Sequence, residues 1–375
     1  MFPHSIFGFI PAWLAWPTAF AASLLLAGQA IAAPSQVGIR ALSYVDTEFE
    51  PGGTRFLFTD LQNRAWVGEL DPATGQCITA TCRDVLLASN VLVQIKDFIN
   101  GPEWGVSDAG SAVYLTTSTA SNVAQSWRVN PDGSGLTPLT SDPRGAWGGL
   151  ASVAPSAHSV RVIASSGTID DLTGVWFDED DGVLHSLPGI WLRGGGGRFL
   201  PGSARYAIYP YRSWLHDTQL AIIDTDLQTV EIVTTTPGQK SQLWGFAWNG
   251  ALHVAAVTDD TAIEVFKSGP TPWPKVATLT PPVPGYLYSM EPLGNSGCFV
   301  TLIRNTNDKN WTDASIYVAC INGSWTRVDD RVPMQRRTEP EPWWSGSQWF
   351  IYYNVTGAGL WVTDPILAAR TGLLE

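Results

Sequence analysis

A two-part motif recurs seven times along this chain at nearly constant spacing, and that period restricts the architecture more than any single residue does. The first part is a small-residue turn running into a strand. It reads GGTRFLF around Gly53, AGSAVYL from Ala109, AHSVRVI from Ala157, GSARYAIY from Gly202, NGALHVAAV from Asn249, NSGCFVTL from Asn295 and GSQWFIYY from Gly346. The second part follows 15 to 25 residues later as another strand that usually ends in an Asp or Asn turn, as in WVGELDPATG, WRVNPDGSG and LAIIDTDLQ. Aligned on Gly53, Gly110, His158, Ser203, Gly250, Gly297 and Gly346, the turns are spaced 57, 48, 45, 47, 47 and 49 residues apart. A period in the forties with about four short strands per unit is the pattern of a β-propeller. The fold class expected is therefore all-β, a single ring of seven four-stranded antiparallel blades. Six blades is the alternative, because the unit from Gly250 is the most degenerate.

Residues 1–32 contain no Lys, Arg, Asp or Glu, carry an apolar stretch through AFAASLLLAG and end in Ala30-Ile31-Ala32. An A-x-A ending after an apolar core is a signal-peptide pattern, so residues 1–32 are expected to be removed and residues 33–375 to form the propeller. Pro11 and Pro17 argue against a stable membrane-spanning helix, and membrane insertion after cleavage is not expected. The four cysteines fall into two local pairs. Cys77 and Cys82 bracket a short loop, while Cys298 and Cys320 lie on neighbouring predicted strands and could face each other. Both pairs are candidate disulfides of a secreted or periplasmic protein. Neither has the CxxC spacing or nearby His pair of a zinc site.

Charged residues make up 15% of the chain and the net charge is −12, all of it outside the uncharged leader. An acidic chain whose one adjacent basic pair is Arg336-Arg337 makes nucleic acid and anionic membrane poor partners.

The segment GPEWGVSDAGSAVYLTT followed by SWRVNPDGSGLTPLT, within residues 101–140, resembles one blade of the TolB-like, WD40-like propellers. The other units share the order of turns and strands and little else. TolB itself carries an α/β domain ahead of its propeller, for which this chain has no room, so the resemblance implies the fold and an exported location and does not transfer TolB's partners. EPEPWWSGSQWFIYY has a looser similarity to strands of secreted propeller glycosidases and lectins.

In such a ring the loops leading into the innermost strands, with those joining second and third strands, form the usual binding face. Counting back seven residues from the aligned turns reaches Asp46, Glu103 and Glu339, on units that become neighbours when the ring closes; Glu291 and Glu341 lie close to the same register. Crowded carboxylates of this kind could supply the acid and base of glycoside cleavage, or with backbone carbonyls hold calcium, or cap strands and pair with Arg193, Arg336 or Arg337. The metal, if any, is left open, and no other cofactor is implied.

A second constellation is aromatic. Of the 18 tryptophans two lie in the leader, and Trp104, Trp191, Trp214, Trp244 and Trp343, with Tyr288 and Arg193, fall in or beside predicted rim loops. Flat aromatics stack on the apolar C–H faces of sugars while Arg and carboxylates hold hydroxyls, so these residues are candidate ligand contacts. Trp66, Trp127, Trp176 and Trp361 fall at equivalent third-strand positions and are expected to pack between blades. DEDDG at 178–182 resembles a calcium loop but lacks the EF-hand spacing, and is expected to be a hairpin turn. RGGGGR at 193–198 follows no strand-to-helix pattern that would make a phosphate cradle. The expected function is recognition of carbohydrate or other cell-envelope material at the channel rim. A glycoside hydrolase using the rim carboxylates and a protein-interaction scaffold are the alternatives.

Overall fold

The computed structural model describes residues 34–37, 47–92, 101–118, 123–168, 171–188, 197–211, 217–307 and 311–363, with strand backbone at 94–95 and 98–99. Contacts divide the chain into Met1–Ala32 and Ala33–Glu375, and all the strands belong to the second unit. Seven four-stranded antiparallel sheets follow one another as blades of a ring. Their inner strands are Glu48–Phe49, Glu103–Ser107, Trp147–Ala151, Arg198–Phe199, Lys240–Trp248, Tyr286–Pro292 and Arg337–Trp344. Each starts 5 to 11 residues ahead of the turn on which its unit was aligned. Among the described residues no helix is long and apolar enough to cross a membrane.

Period-2 alternation explains why these short strands assemble into wedges. Successive side chains leave a strand on opposite faces, so in a blade both faces must be apolar and each meets a different neighbour. Blade six shows it within two residues: Phe299 joins the core shared with blade five, and Val300 the core shared with blade seven. The same holds round the ring, with one buried apolar cluster at each of the seven junctions. Third-strand Trp66, Trp127, Trp176 and Trp361 each belong to one of them, as their spacing suggests. Fully burying a side chain such as Phe299 contributes roughly 2 kcal/mol, so the junctions dominate the fold's stability.

The ring closes on blade seven. Its three C-terminal strands, Arg337–Trp344, Trp349–Val355 and Gly359–Val362, take Ser35–Gln36 as outermost strand, paired antiparallel with Trp361 and Val362. Val37 N–H donates to Leu360 O at 2.9 Å, and the Val37 side chain is wholly buried in the junction between blades seven and one. The turn at Gly75 completes the seam. Its φ of 69° is left-handed, a Cβ there would meet the Phe350 ring at 2.7 Å, and its carbonyl accepts from the Tyr352 hydroxyl at 2.6 Å. Only glycine satisfies the backbone and the close approach together.

Both expected disulfides are present. Cys77–Cys82 closes the loop after the DPATG turn with Cα atoms 5.4 Å apart, and Cys298 and Cys320 lie in register on adjacent strands of blade six, 4.0 Å apart at Cα. No described cysteine is free. Two such links are compatible with an extracellular or periplasmic compartment. DEDDG is the turn between the third and fourth strands of blade three, where Asp178 and Asp181 side chains accept backbone N–H groups of Asp180 and Val183.

Two outcomes check this account. Val37→Asp puts a charge into a fully buried junction and is expected to cost about 3 kcal/mol or more, whereas Leu227→Asn at an exposed turn stays within about 0.5 kcal/mol; urea midpoints measure both. Non-reducing peptide maps of the native protein should contain the 77–82 and 298–320 links and no reactive thiol, and a cross-blade linkage would refute the register.

Candidate functional site

The inner strands are interrupted by a recurring irregularity that decides which side chains face the channel. In blades three, five, six and seven the pairing with the second strand slips between Trp147 and Leu150, Ser241 and Trp244, Tyr288 and Glu291, and Thr338 and Glu341. Each slip contains a residue in the left-handed region: Gly148, Gln242, Ser289 and Glu339, with φ of 65°, 48°, 52° and 43°. These are β-bulges, which re-aim the following side chain. Three of the four are not glycine, and left-handed backbone is costly for such residues. Cross-blade contacts hold them: Ser289 Oγ donates to Glu339 Oε2 at 2.9 Å, Met290 N–H to Gln242 Oε1 at 3.2 Å, and Gly148 N–H to Thr116 Oγ1 at 3.0 Å.

Two residues after the left-handed position stand Trp244, Glu291 and Glu341; the first two contact Arg198 of blade four, and the charge of Glu341 acts on it. The Arg198 guanidinium lies 3.6 Å from the centroid of the Trp244 ring and 3.7 Å from Glu291 Oε1. Desolvation works to lower its pKa, and the combined fields of Glu291, Glu103, Glu48 and Glu341 overcome this and raise it. The Arg198 side chain, on the inner strand of its blade, keeps 26% of its exposure. Six of the seven inner strands thus contribute one side chain each to a belt of four carboxylates, one guanidinium and one indole. In blade three the first residue re-paired after the bulge is the buried Leu150.

Of the candidates read from the sequence, Trp244 and Glu291 contact Arg198, and Glu103 and Glu341 act on it through their charge. Glu339 is the bulge residue itself, bonded to Ser289 of the neighbouring blade. Trp104 and Trp343 are buried at junctions: Trp104 Nε1–H donates to Glu48 O at 3.0 Å, and Trp343 Nε1–H to Gly53 O at 3.1 Å with its ring beside Phe49 and Phe350. Asp46, Trp191, Arg193 and Trp214 lie outside the described residues. The sequence reading missed Glu48 and Arg198. Arg198 ends a glycine run that carries no periodic signal, and Glu48 sits two residues beyond the position reached by counting back from its turn.

Tyr288 lies at the edge of the loop face, where the start of the blade-six inner strand pairs beside the end of the second, Tyr286 opposite Arg304. Its ring is 5.6 Å from that of Trp311, with Arg304 4.6 Å from the Tyr288 centroid. Arg337, fully buried, is instead held by Asp330 and by Ala314 O, inside the seam of blades six and seven. Among the described residues no group of three His, Cys, Asp or Glu side chains gathers as a metal site would. What the belt can do chemically is orient a polar ligand: carboxylates accept from hydroxyl or ammonium donors, and the guanidinium donates a planar fork.

No family model matches the sequence, and no curated protein matches it either. Solved structures do match, at the level of the fold. An oligogalacturonate lyase from Vibrio parahaemolyticus aligns with a TM-score of 0.56 and 13% identity over 87% of this chain and 90% of that one. A second oligogalacturonate lyase structure, in complex with manganese, gives 0.55 and 13% over 90% of each chain. The Dos1 propeller gives 0.52 and 14% over 86% of this chain and 78% of that one. TolB structures are among the matches too; the propeller fold itself stands on the seven four-stranded sheets.

Removing Arg198 isolates what the belt needs. Arg198→Ala removes the cation that the charges of Glu291, Glu103, Glu48 and Glu341 act on and leaves Glu291 without its 3.7 Å partner; it is expected to cost about 3 kcal/mol. Arg198→Lys restores the charge without the flat contact on Trp244 and should leave a deficit of about 1 kcal/mol. Urea unfolding of the two variants checks the order; equal stability of wild type and Arg198→Ala would contradict the belt.

Proposed function

We propose that this chain is an exported recognition protein that binds carbohydrate of the cell envelope at the channel belt and the loop face above it. The observation that carries the reading is the make-up of the belt: inner strands of six blades bring carboxylates, a guanidinium and an indole to one place. Hydroxyl-rich ligands are held by charged hydrogen-bonding groups and flat apolar surface in combination. Export is supported by the leader pattern of residues 1–32 and by the two disulfides. Two of the fold neighbours are named for a saccharide, which agrees with the ligand class; at 13% identity their activity is not carried over.

Recognition is preferred to glycoside cleavage on one ground. A glycosidase needs a carboxyl group held protonated as general acid, and Arg198, 3.7 Å from Glu291, works against a protonated form of that carboxylate. The test is a glycan array on residues 33–375, with and without calcium, run beside Trp244→Ala. Binding to a discrete set of glycans, weakened about tenfold by Trp244→Ala, is the expected result. Turnover of any bound glycan would restore the hydrolase, and an array without hits, or one indifferent to Trp244→Ala, would leave the scaffold reading.

A further inference from the structure

The chain is acidic, and the arginines among its described residues are almost all paired locally. Of the 13 arginines among the described residues, 11 have a carboxylate oxygen within 4.0 Å. The two without one among the described residues are Arg331 and Arg336, and both lie on the loop that leads into the inner strand of blade seven, on the loop face. Arg336 is also held in a fixed pose. Its guanidinium lies 4.3 Å from the centroid of Trp311, and its carbonyl accepts from Thr356 N–H at 3.0 Å. The platform beneath it is rigid: Trp311 is buried, its Nε1–H donates to Arg337 O at 3.2 Å, and Arg304 lies 5.2 Å from the same ring.

The loop carries strain as well. Arg331 and Met334 are left-handed, with φ of 59° and 55°, and Met334 is 71% exposed. Non-glycine residues persist in that region where surroundings over-determine them, and they cluster at functional sites. A guanidinium laid on an aromatic ring keeps its edge N–H groups available, and it has lost little freedom still to be lost on binding. That fork matches the two oxygens of a carboxylate or of a phosphate.

We propose that Arg336, stacked on Trp311, is an anion anchor on the loop face that takes the carboxylate or phosphate of an acidic saccharide. This deepens the carbohydrate reading and rests on it for the saccharide part. It also divides the ligand between two environments, with sugar hydroxyls toward the acidic belt and the anionic group at the blade-seven loop.

Titration calorimetry at low salt with trigalacturonate, with neutral trigalactose and with inorganic phosphate separates the possibilities. Trigalacturonate should bind, Arg336→Ala should weaken it about tenfold to a hundredfold, and added salt should weaken the wild type. Arg336→Lys should recover only part of the loss, and Arg144→Ala, an ion-paired arginine on another loop, should change nothing. If trigalactose binds as well as trigalacturonate, or Arg336→Ala leaves trigalacturonate unaffected, the anchor is overturned while the carbohydrate reading stands. If neither saccharide binds, phosphate decides: binding that disappears in Arg336→Ala keeps the anchor and removes the saccharide, and no phosphate binding overturns it.

Discussion

Everything in this molecule depends on closing the junction between blades seven and one. Seven wedges packed face to face bury six junctions without help, but the last requires the first and last described segments of the propeller to meet. A two-residue strand, Ser35–Gln36, contributes few hydrogen bonds by itself. Its effect comes from what it carries, since Val37 enters a core with Phe56, Phe58, Trp343 and Phe350 that an open ring would expose to water. The closing strand also covers the outer edge of blade seven, which would otherwise present unpaired backbone groups. The channel belt exists only because that junction is shut, as Glu48 and Glu341 come from its two sides.

The belt shows how a repeat fold acquires a site. Identical blades would give a ring of identical side chains, and here the inner strands instead supply Glu, Glu, Leu, Arg, Trp, Glu and Glu in order round the axis. The charge is one-sided, with the carboxylates on blades one, two, six and seven and the guanidinium opposite on blade four. The bulges in blades five, six and seven set the direction of three of these groups, and their strained residues are tied to adjacent blades. Positioning at the axis is thereby coupled to packing between the blades and not left to individual rotamers.

Much of this was legible in the sequence. The turn period announced seven blades because glycine and small polar residues are needed wherever the chain reverses, and the spacing of those reversals is the blade length. Cysteine pairs and third-strand tryptophans were equally readable, since local pairing and repeated position imply their partners. The site was readable only in part. Counting back from a turn assumes unbroken pairing, so it succeeded at Glu103, where the strand is regular, and in blade seven reached Glu339, which the bulge turns aside, ahead of Glu341. Trp104 and Trp343 look like loop aromatics in the sequence and prove to be junction residues. Arg198 has no neighbour in sequence that hints at four carboxylates from distant blades, because its partners are set by ring closure alone.

The proposed saccharide ligand sits over the channel axis. Hydrogen exchange measured with and without the tightest-binding saccharide from the array tests this placement most directly, because it locates the ligand without presupposing which residues matter. The account predicts slowed exchange in the inner-strand segments containing Arg198, Trp244, Glu291 and Glu341, with outer strands such as Lys275–Leu279 unchanged. Protection confined to the outer strands, with the inner segments unaltered, would contradict it.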